Sequence, residues 1–166
     1  MYSAGELVVY GFHGVCRVLG VEHQRRAGSS MSFLVLVPVE QEGSRYLVPY
    51  HNEAAMAKVR PVMCPEALEQ LFRSERVQSG GWISDENIRK LRYRELITSG
   101  DPEALMQMLF TLYQHHSVKQ AAGRRLHLAD ENFLKDAEKQ LAGEISVVLK
   151  ISEAEARAYL QEKLNN

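Results

Sequence analysis

The feature that most constrains this chain is a change of hydrophobic period near residue 60. Upstream, apolar residues come in short, partly alternating runs, as strands require; downstream they recur every three to four positions, as helices require. A strand face and a helix stripe hide their apolar surface against different partners. One such change along a chain therefore predicts two modules.

The first module reads as strands. Glu6 to Tyr10 is a short β-prone run, followed by Gly11-Phe12-His13-Gly14, where glycines can turn the backbone. Val15 to Val21 alternates in part and places Val15, Arg17 and Leu19 on one face, while Cys16 is expected in the core. The polar stretch from Gln24 to Ser30 contains Gly28 and marks a hairpin tip. Ser32 to Val39 is the most apolar strand, with Pro38 near its end or on an edge. Glu40 to Ser44 turns, and Arg45 to Pro49 returns. Four strands in about 45 residues, joined by short turns, predict a curled sheet or small barrel.

The second module reads as helices. Pro65 opens a short one, and Val77 to Ile83 is looser, containing Gly80-Gly81. Ser84 is placed to cap a helix carrying Ile88, Leu91 and Leu96. Thr98-Ser99-Gly100-Asp101-Pro102 is the sharpest punctuation: Gly100 ends one helix, Asp101 caps the next, and Pro102 sits just inside it. Leu105, Met108, Leu109 and Leu112 form an apolar stripe. After Gly123 a helix from about Asp130 aligns Phe133, Ala137, Leu141 and Ile145. Ser152 and Glu155 have capping-box spacing for a last helix that buries Ala156, Tyr159 and Leu160. The expected organisation is a β domain over 1–60, a link near Lys58 to Pro65, and a bundle of about five helices over 61–166.

Composition narrows the function. Lys plus Arg is 20 against Asp plus Glu 21, a net charge of -1, which argues against bulk coating of nucleic acid and leaves room for a local basic patch. No apolar run reaches the 18 or so residues of a membrane span, and Met1 to Leu7 lacks the pattern of a secretory signal. Cys16 and Cys64 are too few and too far apart for a disulfide framework, so buried free thiols in a reducing cytoplasm are expected. None of the six histidines has a cysteine at zinc-ligand spacing, and the adjacent His115 and His116 diverge on a helix. No metal, no cofactor and no catalytic residue is expected.

Three features bear on nucleic acid. The only tryptophan, Trp82, follows Gly80-Gly81 on a short loop. It is either a plug between helices or a rigid wedge for a groove. Arg89, Lys90, Arg92 and Arg94 put four cations in six residues, which is either a solvated helix face or a set of phosphate contacts. Lys119, Arg124 and Arg125 form a smaller basic group at a helix break. So few cations predict weak, salt-sensitive binding by the chain alone, and hence a protein held on DNA by a larger partner.

The run from Gly5 to Val15, the strand Phe33-Leu34-Val35-Leu36, the strand end Leu47-Val48-Pro49, and then Trp82, the Thr98 to Asp101 break and the helix from Leu134 to Glu144 resemble the CarD/CdnL family of bacterial transcription regulators in order and spacing. The first module is also similar to the polymerase-interacting module of the transcription-repair coupling factor. The resemblance implies an α+β protein: a Tudor-like or SH3-like barrel that binds the RNA polymerase β subunit, then a helical domain that reaches promoter DNA. It implies no enzymatic activity, a bacterial cytoplasmic setting, a tryptophan wedged in the minor groove, and a changed stability of the open promoter complex. The family pattern has an arginine where this chain has Leu47, two residues before Pro49, which shifts the polymerase contact toward Arg45 or Arg25-Arg26. The family's arginines follow the tryptophan closely. Here Ser84-Asp85-Glu86 intervene, and two carboxylates there would repel phosphate while suiting a helix N-terminus. A polymerase adaptor with little DNA contact is the second reading, and an enzyme of unknown class the third.

Overall fold

The computed structural model describes residues 1–41 and 43–165, leaving Glu42 of the expected Glu40 to Ser44 turn outside the described residues. The chain divides into two compact units, Met1–Val62 and Met63–Asn166.

The first unit is an antiparallel five-stranded sheet of β1 (Leu7–Tyr10), β2 (Val15–Arg26), β3 (Ser29–Pro38), β4 (Tyr46–Pro49) and β5 (Val59–Pro61), in the order β4-β3-β2-β1-β5. The curled-sheet expectation is met, but β4 and β5 remain edges and the sheet is not closed into a barrel. β5 lies in the segment read as a link, too short to show a period, and pairs Val59 with Tyr10. β2 and β3 run five residues and three residues beyond the expected strand limits at Val21 and Ser32. They meet at Ala27-Gly28, both at positive φ (51° and 79°), as a two-residue hairpin turn with the strands' own twist requires. Both edge strands end in proline, which blunts edge-to-edge pairing.

One face of the sheet buries Val8, Cys16, Val18, Leu34, Leu36, Val48 and Val59. Ala55 and Met56 of the short helix α1 (Glu53–Met56) pack against it, beneath a cap in which Asn52 accepts from the Ala55 N–H at 3.1 Å. Val15 and Arg17 do share a face, but it is the opposite one, and a bulge between Val18 and Gly20 turns Leu19 out to solvent.

The second unit contains α2 (Pro65–Arg73), α3 (Glu75–Gln78), α4 (Glu86–Ser99), α5 (Pro102–Ala121), α6 (Leu128–Leu149) and α7 (Glu153–Asn165). α5 is central and buries residues around most of its circumference, among them Leu105, Met106, Met108, Leu109, Leu112 and Tyr113. Ala137, Leu141 and Ile145 of α6 and Ala156 and Leu160 of α7 complete the core, as their spacing predicts, with Phe133 and Tyr159 packed at its margin. Gly100 ends α4 in the left-handed conformation (φ 66°), and Asp101 caps α5 by accepting from the Glu103 N–H. The capping box closes both ways: the Ser152 hydroxyl accepts from the Glu155 N–H at 3.1 Å and the Glu155 carboxylate from the Ser152 N–H at 3.4 Å.

Three expectations fail here. Asp85, one residue past Ser84, is the cap of α4, accepting from the Ile88 N–H. The fully buried positions of that helix are Arg89 and Tyr93, with Leu96 packed at the core margin as expected, whereas Ile88 and Leu91 are 60% and 61% exposed. Cys16 is buried as expected, and burial pushes its thiol up to about 11; Cys64, also expected to be buried, sits at the start of α2 and is exposed.

Candidate functional site

In the first unit, strand register decides which candidate residues meet. Phe33 pairs with Pro49 and with Glu22, Val35 with Leu47, and Arg26 with Ser29, so these side chains fall on the sheet face opposite the core. Arg45 joins the same face through its ion pair with Glu22. Arg26 lies with its guanidinium carbon 5.8 Å from the Phe33 ring centroid. Four of the five residues expected to bind polymerase, Arg26, Arg45, Leu47 and Pro49, thus share one sheet face with exposed Met31 and with Phe33 and Val35, which are buried beneath them. Arg25 pairs with Ser30 and falls on the other face.

In the second unit, the loop between α3 and α4 positions Trp82. Gly80 lies so close to α5 that a Cβ there would stand 2.7 Å from the Gln107 side chain and 2.9 Å from the Thr111 hydroxyl. That hydroxyl donates to the Gly80 carbonyl at 3.3 Å. One helical turn beyond Thr111, the His115 ring stacks on the indole at 3.5 Å and 8°. The Arg89 guanidinium carbon lies 4.4 Å from the same ring's centroid. Trp82 is half-buried, with its ring already engaged.

Arg89 is the main correction to the basic cluster. It is 3% exposed and forms a two-pronged ion pair with Asp130, itself 1% exposed, at 2.8 and 2.9 Å, while another nitrogen donates to the Ile83 carbonyl at 2.8 Å. Its donors are spent inside the bundle, so it presents no charge to a phosphate. The remaining cations of α4 fan out, because each residue turns by about 100° about the helix axis. Lys90 pairs with Glu86 at 3.1 Å and Arg92 with Glu95 at 3.5 Å, while Arg94 is exposed on the Lys90 flank. Lys119 lies one turn beyond His115, and Arg124 and Arg125 are exposed just past the end of α5. Desolvation first, and then the nearby charge of Lys119, hold His115 below its ordinary value, with Arg89 and His127 acting in the same direction. Glu86 is held below the carboxylate range, first by its hydrogen bond to Lys90 and then by that cation's charge.

Sequence reasoning missed His115, Asp130 and Thr111. Their partners lie 31 to 41 positions away, and no local pattern encodes such contacts. A cleft of about 1000 Å³ lies among α5, α6 and α7. At its wall the buried Glu138 carboxylate accepts from the Tyr113 hydroxyl and the Gln161 amide, so these groups satisfy one another and tie the three helices together. Among the described residues no group of three His, Cys, Asp or Glu side chains could hold a metal ion, and no helix is long and apolar enough to cross a membrane.

A small open antiparallel sheet followed by a helical unit defines a protein of α+β class. Residues 2–63 match the family model of the CarD-like/TRCF RID domain, which covers the sheet unit. The first unit thus carries a CarD-like RNA polymerase-interacting domain, as the resemblance implied for that module.

Proposed function

We propose that this protein is a transcription regulator that grips the RNA polymerase β subunit through the sheet face bearing Arg26, Arg45, Leu47 and Pro49, and contacts promoter DNA through Trp82 and nearby cations. The outcome is a change in the stability of the open promoter complex. The observation that carries the polymerase half is the RID family match together with the convergence of those four residues on one face. Half-buried Leu47 and exposed Met31 beside a surface ion pair give a small apolar centre with a charged rim, the anatomy of a protein contact. The DNA half rests on the single indole, with Lys119 one turn beyond the His115 stacked on it, and with Lys90, Arg92, Arg94, Arg124 and Arg125 as further candidate phosphate contacts. So few cations leave binding by the chain alone weak and dependent on the polymerase anchor.

Two variants separate the halves. Leu47→Asp should abolish retention on isolated β-subunit fragments and with it any effect on open-complex lifetime. Trp82→Ala should keep the retention and lose the lifetime effect. Normal retention of Leu47→Asp would remove this face from the polymerase contact.

A second reading, an adaptor with little DNA contact, is favoured by the internal pairing of Arg89 and the covered ring of Trp82. It predicts open-complex lifetimes indifferent to neutralising Lys90, Arg92 and Arg94 together.

A further inference from the structure

Trp82 is braced on one side and covered on the other by groups of unequal firmness. The brace is Arg89. Its guanidinium is fixed by both Asp130 oxygens and by the Ile83 carbonyl, all buried or half-buried, and cannot leave without stranding a charge. The loop itself is pinned by the Thr111 hydroxyl and by the absence of a side chain at Gly80. The cover is His115. It is half-buried on the surface of α5, and among the described residues it makes no hydrogen bond; its contact with Trp82 is ring on ring. A rotation of one side chain uncovers the indole while the loop stays in place.

The separation of 3.5 Å and near-parallel planes are the geometry of one aromatic plate on another, the same geometry a nucleobase adopts on an aromatic side chain. A base at a disturbed step can therefore take the place of the imidazole, exchanging one stack for another. Resting on the reading that Trp82 contacts DNA, we propose that His115 is a latch over Trp82. It covers the indole in the free protein and is displaced when the ring engages an unstacked base step, so His115 sets how available Trp82 is to DNA. Arg89 and Asp130 are positioning residues: they hold the indole plane while its partner changes. Lys119, one turn beyond His115, supplies a cation beside the exchanged ring.

Because Trp82 is the only tryptophan, the intrinsic emission of the full chain reports on this residue alone. His115→Ala should raise acrylamide quenching of that emission several-fold and tighten binding to a duplex carrying a pre-melted bubble by several-fold at low salt. His115→Phe, which keeps a ring in the same place, should leave quenching low and weaken the duplex complex. Far-UV circular dichroism of both variants checks that the bundle is intact, and His115→Phe tests the idea even if His115→Ala destabilises it. Unchanged quenching in His115→Ala overturns the latch. So does raised quenching with unchanged or weaker duplex binding, provided the wild-type emission responds to the bubble duplex. If that emission is indifferent to the duplex and Trp82→Ala leaves open-complex lifetime unaltered, the DNA-contact reading itself has failed, and the latch falls with it.

Discussion

At the scale of single residues, Arg89 and Asp130 show how far a side chain can depart from its usual place. Arginine is among the residues least often buried without a partner, so a basic run reads as surface until its partner is known. Here the partner is 41 positions away in sequence. Asp130→Ala should leave the guanidinium buried and unpaired, lowering stability by about 3–5 kcal/mol. Urea unfolding would measure it, and the double variant Arg89→Met with Asp130→Leu should recover much of the loss. A double variant whose loss equals the sum of the two single losses would mean the two residues are not coupled. The cysteines make a second prediction at this scale. The exposed Cys64 should react with a thiol reagent in the native protein at pH 8, giving one equivalent. Cys16, buried and with its thiol pushed up to about 11, should yield its equivalent only after unfolding.

At the scale of elements, local signals were legible where both ends of the contact lie close in sequence. The Ser99 to Pro102 junction, the Ser152–Glu155 box and the α5, α6 and α7 stripes are encoded within a few residues, and the structure follows them. α4 is the counterexample. Its outward Ile88 and Leu91 imitate an inward stripe, while the fully buried positions of its first turns are an arginine and a tyrosine whose hydroxyl burial raises to about 12, reinforced by the charge of Asp130. Periodicity misreads a helix whose buried face is polar and paid for by a distant carboxylate. β5 escaped notice for a different reason: three residues are too few to display an alternation. The α4–α5 junction offers a clean test, because Gly100 holds a left-handed conformation that an added Cβ disfavours. Gly100→Ala should cost about 1–2 kcal/mol, read as a lower urea midpoint with unchanged slope.

At the scale of the whole molecule, both units carry a histidine held below its ordinary value of 6.5. His13 is lowered mainly by burial and further by the charge of Lys58; His115 is lowered mainly by burial and further by Lys119. A lowered value means the folded chain takes up these protons less readily than the unfolded chain. The unfolded state therefore binds more protons over the interval between the two values, and stability falls as pH drops through 6.5 toward the lower folded value. Above that interval the histidines are neutral in both states and contribute no slope. The urea midpoint should thus be lower at pH 5.5 than at pH 7.5. Replacing His13 and His115 with Gln should reduce that difference, whatever it does to the midpoint at pH 7.5. The same slope bears on the latch. Protonation gives His115 a charge beside Arg89, Lys119 and His127, with Asp130 the one opposing group among those acting on it and already committed to Arg89. Acid should therefore loosen the His115 cover before the bundle unfolds, visible as acrylamide quenching of Trp82 that rises between pH 7.5 and 5.5 while far-UV circular dichroism stays constant. A rise of the same size in His115→Gln would assign the effect to other groups.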